Sequence, residues 1–188
     1  FLNCSSLSDF GTTDLKNCNN FTSAWKGCTA LTSFPAGAKL GTEVTTGVNF
    51  SNAWQSSGLT SFPALDLSKG TNFYSAWLGC TSLTSFPLID TSASLSFNGS
   101  WYNCSNLTSF PANFFDTWNP SSIGSGLFDF AWANTSLTAQ SVENILVSID
   151  ASGHYATTNK VSGGSAIADA GIDIDYNVAT GSLSAATN

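Results

Sequence analysis

One block of this chain is written several times over, and that repetition limits what the chain can fold into more than any other feature. The stretch Phe73-Tyr74-Ser75-Ala76-Trp77-Leu78-Gly79-Cys80-Thr81-Ser82-Leu83-Thr84-Ser85-Phe86-Pro87 has relatives on both sides. One runs from Phe21 through Ala24, Trp25, Cys28, Leu31 and Phe34 to Pro35, a second from Phe50 through Ala53, Trp54, Leu59 and Phe62 to Pro63, and a third from Phe97 to Pro111. Degenerate copies flank them: Cys4, Leu7 and Phe10 keep the phase at one end, and Phe128, Ala131, Trp132 and Leu137 keep it at the other. The outer two copies of this six-turn array are partial.

The tryptophans at 25, 54, 77, 101 and 132 are spaced 29, 23, 24 and 31 residues apart. The unit is therefore about two dozen residues, within the leucine-rich-repeat range of roughly 20 to 29. Within it, Phe73, Ala76 and Trp77 fall at i, i+3 and i+4, which predicts one face of a single helical turn. Leu83-Thr84-Ser85-Phe86 alternates apolar and polar and predicts a short strand that ends at Pro87, which has no amide to give a ladder. Leu88-Ile89-Asp90-Thr91-Ser92 and Leu65-Asp66-Leu67-Ser68 supply turn formers. One turn cannot bury its own Phe, Trp and Leu, whereas stacked turns cover each other. The expected fold is a leucine-rich-repeat-like solenoid over residues 1–137, an α/β repeat of short strands and single helical turns.

The succession Phe, Ala-Trp, Cys, Leu, Phe-Pro resembles the bacterial surface leucine-rich repeats of the BspA-like (TpLRR) class, with Trp in place of the usual Phe. Gly79-Cys80-Thr81-Ser82-Leu83 and Leu65-Asp66-Leu67-Ser68 are also similar to the related repeats of mycoplasma surface lipoproteins. The resemblance covers about residues 1–137. Such repeats occur on bacterial surfaces and in phage tail or adhesion proteins, so it implies attachment to cells or matrix. Unit length varies here, and Ser57 stands where the register calls for Cys. The matching positions are all core positions, so no binding residue carries over from the family.

Composition narrows the partners. Only 9% of residues are charged, and 12 acidic against 5 basic side chains leave a net charge of −7. That balance repels phosphate backbones and argues against nucleic acid. No run approaches the ~20 apolar residues of a membrane span, and Phe1-Leu2-Asn3-Cys4 has neither the basic nor the apolar region of a targeting signal. Met is absent, position 1 included, as expected of a processed chain or a fragment.

Residues 138–188 depart from the repeat. Thr138 is placed as an N-cap, and Val142, Ile145, Leu146 and Ile149 follow at i, i+3, i+4 and i+7, predicting a three-turn helix that covers the last repeat. Residues 151–171 have linker composition. Ile172, Ile174, Tyr176 and Val178 then alternate with polar residues or Ala, predicting a strand that closes a capping or assembly segment.

Candidate chemistry is sparse. Cys4, Cys28, Cys80 and Cys104 share one phase and read as a ladder of free core thiols; disulfides between the stacked neighbours Cys4 and Cys28, or Cys80 and Cys104, remain the alternative, with a metal site behind that. Cys18 is out of phase and makes the total odd. Asp66 and Asp90, at equivalent places, read as caps of local turn amides ahead of a cation pair. Asp173-x-Asp175-x-Asn177 lacks the Gly and the later Glu of a calcium loop. The sequons at Asn3, Asn20, Asn49, Asn98, Asn103, Asn106 and Asn134 read as by-products of the repeat. His154, the single histidine, has no companion in a recognised spacing, so no catalytic residue, metal or cofactor is assigned.

The tryptophans Trp25, Trp54, Trp77, Trp101 and Trp132 sit beside Ala or at its equivalent in every turn and read as core rather than as sugar platforms. Aromatics off the register are the candidate contacts: Tyr74, Tyr102, Phe114, Phe115, Trp118 and Tyr155, three of them in the insertion 113–126. The functional expectation is a non-enzymatic adhesion or receptor-binding protein of a cell or virion surface, engaging a glycan or protein. The alternative is a self-assembling subunit of an extracellular fibre, copies meeting end to end.

Overall fold

The computed structural model describes residues 1–11, 14–119 and 127–153, together with the backbone of 172–177 and 182–187. Its regular elements are short: β1 (Asp14–Leu15), β2 (Lys39–Leu40), β3 (Val48–Asn49), β4 (Gly70–Asn72), α1 (Ala139–Ala151), β5 (Ile172–Asn177) and β6 (Ser182–Thr187). β1 pairs in parallel with β2, β3 in parallel with β4, and β5 antiparallel with β6. Most of the order lies between these elements, where successive units lie side by side in parallel register.

The wall expected to be a helical turn is built differently. Phe73, Ala76 and Trp77 all point inward and are fully buried, but the backbone between them makes two consecutive tight turns. Phe73 O accepts the Ala76 N–H at 3.0 Å, and Trp77 O accepts the Cys80 N–H at 3.1 Å. The third residue of each turn is left-handed, Ser75 at φ 51° and Gly79 at φ 70°, the mark of a type II turn. The same two positions are left-handed in the other units: Ser23 and Gly27, Asn52 and Ser56, Gly99 and Asn103, Phe130 and Asn134. No α-helix passes through positive φ, so the i, i+3, i+4 spacing here reports inward side chains and not helical backbone.

Those turns free alternate amides to bond outward along the array. Phe50, Asn52, Trp54 and Ser56 donate to the carbonyls of Asn72, Tyr74, Ala76 and Leu78 at 2.7–2.8 Å, and Phe73, Ser75, Trp77 and Gly79 donate in the same way to Ser96, Asn98, Ser100 and Tyr102. Entry to the turn wall is held in three units by a side chain two residues ahead of the bonded amide: Asn20, Asn49 and Asn72 Oδ1 accept from Thr22, Ser51 and Tyr74, each at 2.9 Å. On the opposite, strand wall, Thr60, Thr84 and Thr108 donate back to the carbonyls of Thr32, Thr60 and Thr84, and Ser61, Ser85 and Ser109 form parallel bridges. The Trp54 unit reaches its Leu one residue sooner than its neighbours do, and Gly58 fills the tight corner, where a Cβ would collide with the Thr29 carbonyl oxygen.

Between the walls lie three columns of rings. Trp25, Trp54, Trp77, Trp101 and Trp132 stack with centroids 5.6, 5.2, 5.5 and 5.4 Å apart and planes within 9°. Phe21, Phe50, Phe73, Phe97 and Phe128 form a second stack at 5.2–5.7 Å. Phe34, Phe62, Phe86 and Phe110 form the third column, each near-perpendicular to the Trp of its own unit at 4.7–5.1 Å. Each such ring pair is worth about 0.5–1.5 kcal/mol beyond its buried area.

α1 closes the strand wall. Thr138 accepts the Ser141 N–H as the N-cap, and Val142, Ile145, Leu146 and Ile149 are buried. Its polar side chains take the place of a next strand: Ser141 Oγ accepts the Phe110 N–H at 3.0 Å and donates to Thr108 O at 3.1 Å, and Asn144 Nδ2 donates to Phe110 O at 3.0 Å. The expected strand at 172 is present as β5, with β6 as its partner; the side chains of both lie outside the described residues, as does Val178.

Two outcomes follow for stability. All five stacked indole N–H groups are buried without a hydrogen-bond acceptor, at about 1–3 kcal/mol each. Trp77→Phe removes one such group along with some packing and is expected to shift unfolding by no more than about 1 kcal/mol. Trp77→Ala opens the column and should cost about 3–5 kcal/mol in chemical denaturation. Ser56, exposed and at φ 54°, carries left-handed strain that glycine relieves, so Ser56→Gly should raise stability by about 1 kcal/mol. The same denaturation series measures it.

Candidate functional site

The residues expected to make contacts divide sharply. Tyr74 is exposed on the turn wall. Tyr102, half-buried, lies in the outer face of the same wall with its ring 6.3 Å from that of Phe130 in a T-shaped arrangement. Phe130 is 52% exposed. It occupies a left-handed position that is Ser23, Asn52, Ser75 or Gly99 in the other units. A bulky aromatic there costs about 1–2 kcal/mol of backbone strain and gains little from burial. Beside this pair, Asn134 Nδ2 donates to Asn103 Oδ1 at 2.7 Å.

Phe114, Phe115 and Trp118 are corrections. All three are buried, because the described part of the insertion folds its rings into the core instead of presenting them. Phe114 packs on Phe110 at 5.0 Å, Phe115 on Phe97 and Phe128 at 5.3 Å, and Trp118 on Phe128 at 5.5 Å. Trp118 Nε1 donates to Ser94 O at 2.9 Å, and the Phe115 amide donates to Ser148 Oγ on α1. Phe115 ties this segment to α1, and none of the three presents its ring to solvent. Tyr155 and His154 lie outside the described residues.

The cysteine phase divides as well. Cys28, Cys80 and Cys104 are buried free thiols, whereas Cys4 and Cys18 are exposed and free. Cys4 therefore leaves the expected core ladder: among the described residues no unit packs on its far side. Each buried thiol donates to a carbonyl of the preceding unit at 3.1 Å, Cys28 to Phe1 O, Cys80 to Trp54 O and Cys104 to Trp77 O. Phe1 thus takes the tryptophan position of the first unit. Burial pushes the Cys80 thiol up from 9.0 to about 11 and raises Cys104 well above its ordinary value.

Charge adds little to either wall. Asp66 and Asp90 accept the amides of Ser68 and Ser92 at 3.1 and 2.9 Å, as local caps. The ion pair Lys16–Glu43, at 3.1 Å, is solvent-exposed and screened by water. On the strand wall the exposed Thr60, Thr84 and Thr108 hydroxyls each donate to the threonine carbonyl of the preceding unit. These three hydroxyls are polar surface whose donors are already engaged.

Among the described residues no cluster of His, Cys, Asp or Glu is arranged to hold a metal, and no helix is long and apolar enough to cross a membrane. No protein-family model matches the chain, and neither a curated protein nor a solved structure does.

Sequence reasoning missed Phe130. Aligning each unit on its Phe would have exposed it, since a Phe in a column of Ser, Asn and Gly has no place in the core register.

The thiols give a direct check of this arrangement. In native protein at neutral pH a maleimide should modify Cys4 and Cys18 alone, with Cys28, Cys80 and Cys104 reacting only in denaturant, as read by intact mass. The folded state holds the Cys80 proton more tightly than the unfolded chain. Its contribution to stability is therefore complete below the ordinary thiol value of 9.0 and is lost as pH rises toward about 11.

Proposed function

We propose that this chain is a non-enzymatic recognition module of an extracellular or virion surface, built as a leucine-rich-repeat-like solenoid, whose turn wall engages a cell-surface glycan or protein. The observation that carries this reading is the Tyr102–Phe130 pair, exposed aromatic surface held in place at a cost in backbone strain. Strain at an exposed position with little return from burial points to use. Tyr74 is a further exposed aromatic on the same wall, and the Asn103–Asn134 carboxamides supply polar groups. Aromatic faces flanked by amides suit both pyranose rings and protein hot spots.

The fold part of the reading is supported by the parallel register of the units and by the resemblance in their sequence. The non-enzymatic part is supported by the sequence, which offers no nucleophile, base or oxyanion donor in a recognised arrangement.

The test is binding of the labelled chain to glycan arrays and to candidate host cells, comparing wild type with Tyr102→Ser/Phe130→Gly. The double variant is expected to lose at least roughly tenfold in affinity while its thermal unfolding stays within a few degrees of wild type, because Gly relieves the left-handed strain at 130. Undiminished binding by the double variant would sink the assignment of this surface.

A further inference from the structure

The two walls of the array end differently. At its last unit the strand wall is closed by α1, whose Ser141 and Asn144 satisfy the backbone of Thr108 and Phe110. Among the described residues the turn wall has no such closure. In each complete interface of that wall four amides donate toward the C-terminal side, for example Phe97, Gly99, Trp101 and Asn103 to the carbonyls of Leu127, Asp129, Ala131 and Ala133 at 2.8–2.9 Å. The equivalent amides of the last unit, Phe128, Phe130, Trp132 and Asn134, meet no acceptor among the described residues.

We infer that this row of four amides is a docking edge for a second polypeptide carrying the same repeat unit, which adds to the turn wall in parallel and supplies four main-chain carbonyls at alternate residues.

Three observations identify the occupant. Every interface above the edge is made the same way, so the edge continues an established contact. All the turn-wall bonds point in one direction, so their peptide dipoles add and the edge is the positive pole, complementary to carbonyl oxygens. The side chains behind it, Phe128 and Trp132, are already buried, so the edge offers hydrogen bonds and not an apolar face. Acceptors spaced at every second residue of a chain in this turn conformation are what another unit provides; a glycan has no such backbone. Edge amides without partners are templates for strand-like addition.

The experiment is amide hydrogen exchange by NMR on the full chain, alone and with a synthetic peptide of residues 67–88, which carries the acceptor carbonyls of Asn72, Tyr74, Ala76 and Leu78. In dilute free chain, Phe128, Phe130, Trp132 and Asn134 should exchange at least roughly tenfold faster than Phe97, Gly99, Trp101 and Asn103. Millimolar peptide should slow those four amides selectively, and a scrambled peptide should not. Slowing that appears on concentrating the chain alone, with a rise in mass by ultracentrifugation, would make the partner a second copy; slowing by the peptide alone would make it another repeat-bearing chain. The inference is overturned if the four amides are as protected as their inner counterparts in dilute chain, or if neither peptide nor concentration protects them. Phe130→Gly separates this edge from the adhesive surface, since it removes the aromatic ring and keeps the amide.

Discussion

Everything else in this structure depends on the amide that leaves each tight turn and bonds to the next unit. Because residues at two fixed positions take the left-handed conformation, alternate amides turn away from their own unit and face along the array. The bond they make sets the separation of successive units. It also fixes which side chains point inward, so one phase carries Phe, the next Trp, and the third the small Cys. The thiol then has a single carbonyl within reach, that of the preceding unit's tryptophan position, and contributes an inter-unit bond of its own.

Much of this was legible in the sequence, for a specific reason. A repeat presents the same physical problem several times, and residues that recur at the same phase must answer it in the same way. The burial of all five stacked tryptophans, Thr138 as the helix cap, and the caps at Asp66 and Asp90 were each readable from one residue and its neighbours. The i, i+3, i+4 spacing predicts a helical turn, yet the same spacing arises from two successive type II turns. Only the recurrence of Gly, Asn and Ser at the third position of each turn could have told them apart. Position outside the register predicts that Phe114, Phe115 and Trp118 face solvent, whereas all three are buried. An insertion can carry its own core, and here its rings pack on the Phe columns while its backbone and Asp116 hydrogen-bond to Ser148 of α1.

The near absence of charge has a structural counterpart. Many soluble repeat surfaces place Lys and Glu on each turn, whereas here threonine, serine and asparagine occupy those places and bond to the backbone of their own or a neighbouring unit. Such side chains tighten the ladder that exposes them. Exposed ion pairs would add at most about 1 kcal/mol each and would weaken with salt. A ladder of neutral hydrogen bonds is far less sensitive to ionic strength.

The spacing of the tryptophan column carries a geometric consequence. Backbone pairing sets neighbouring strands about 4.8 Å apart, while the indole centroids are separated by 5.2–5.6 Å with nearly parallel planes. At that strand spacing, a sideways offset of about 2–3 Å between successive rings spans the difference. A slipped stack is also what the ring quadrupoles favour over direct overlap. Peptide pairing and aromatic electrostatics here call for the same displacement, so neither has to yield to the other.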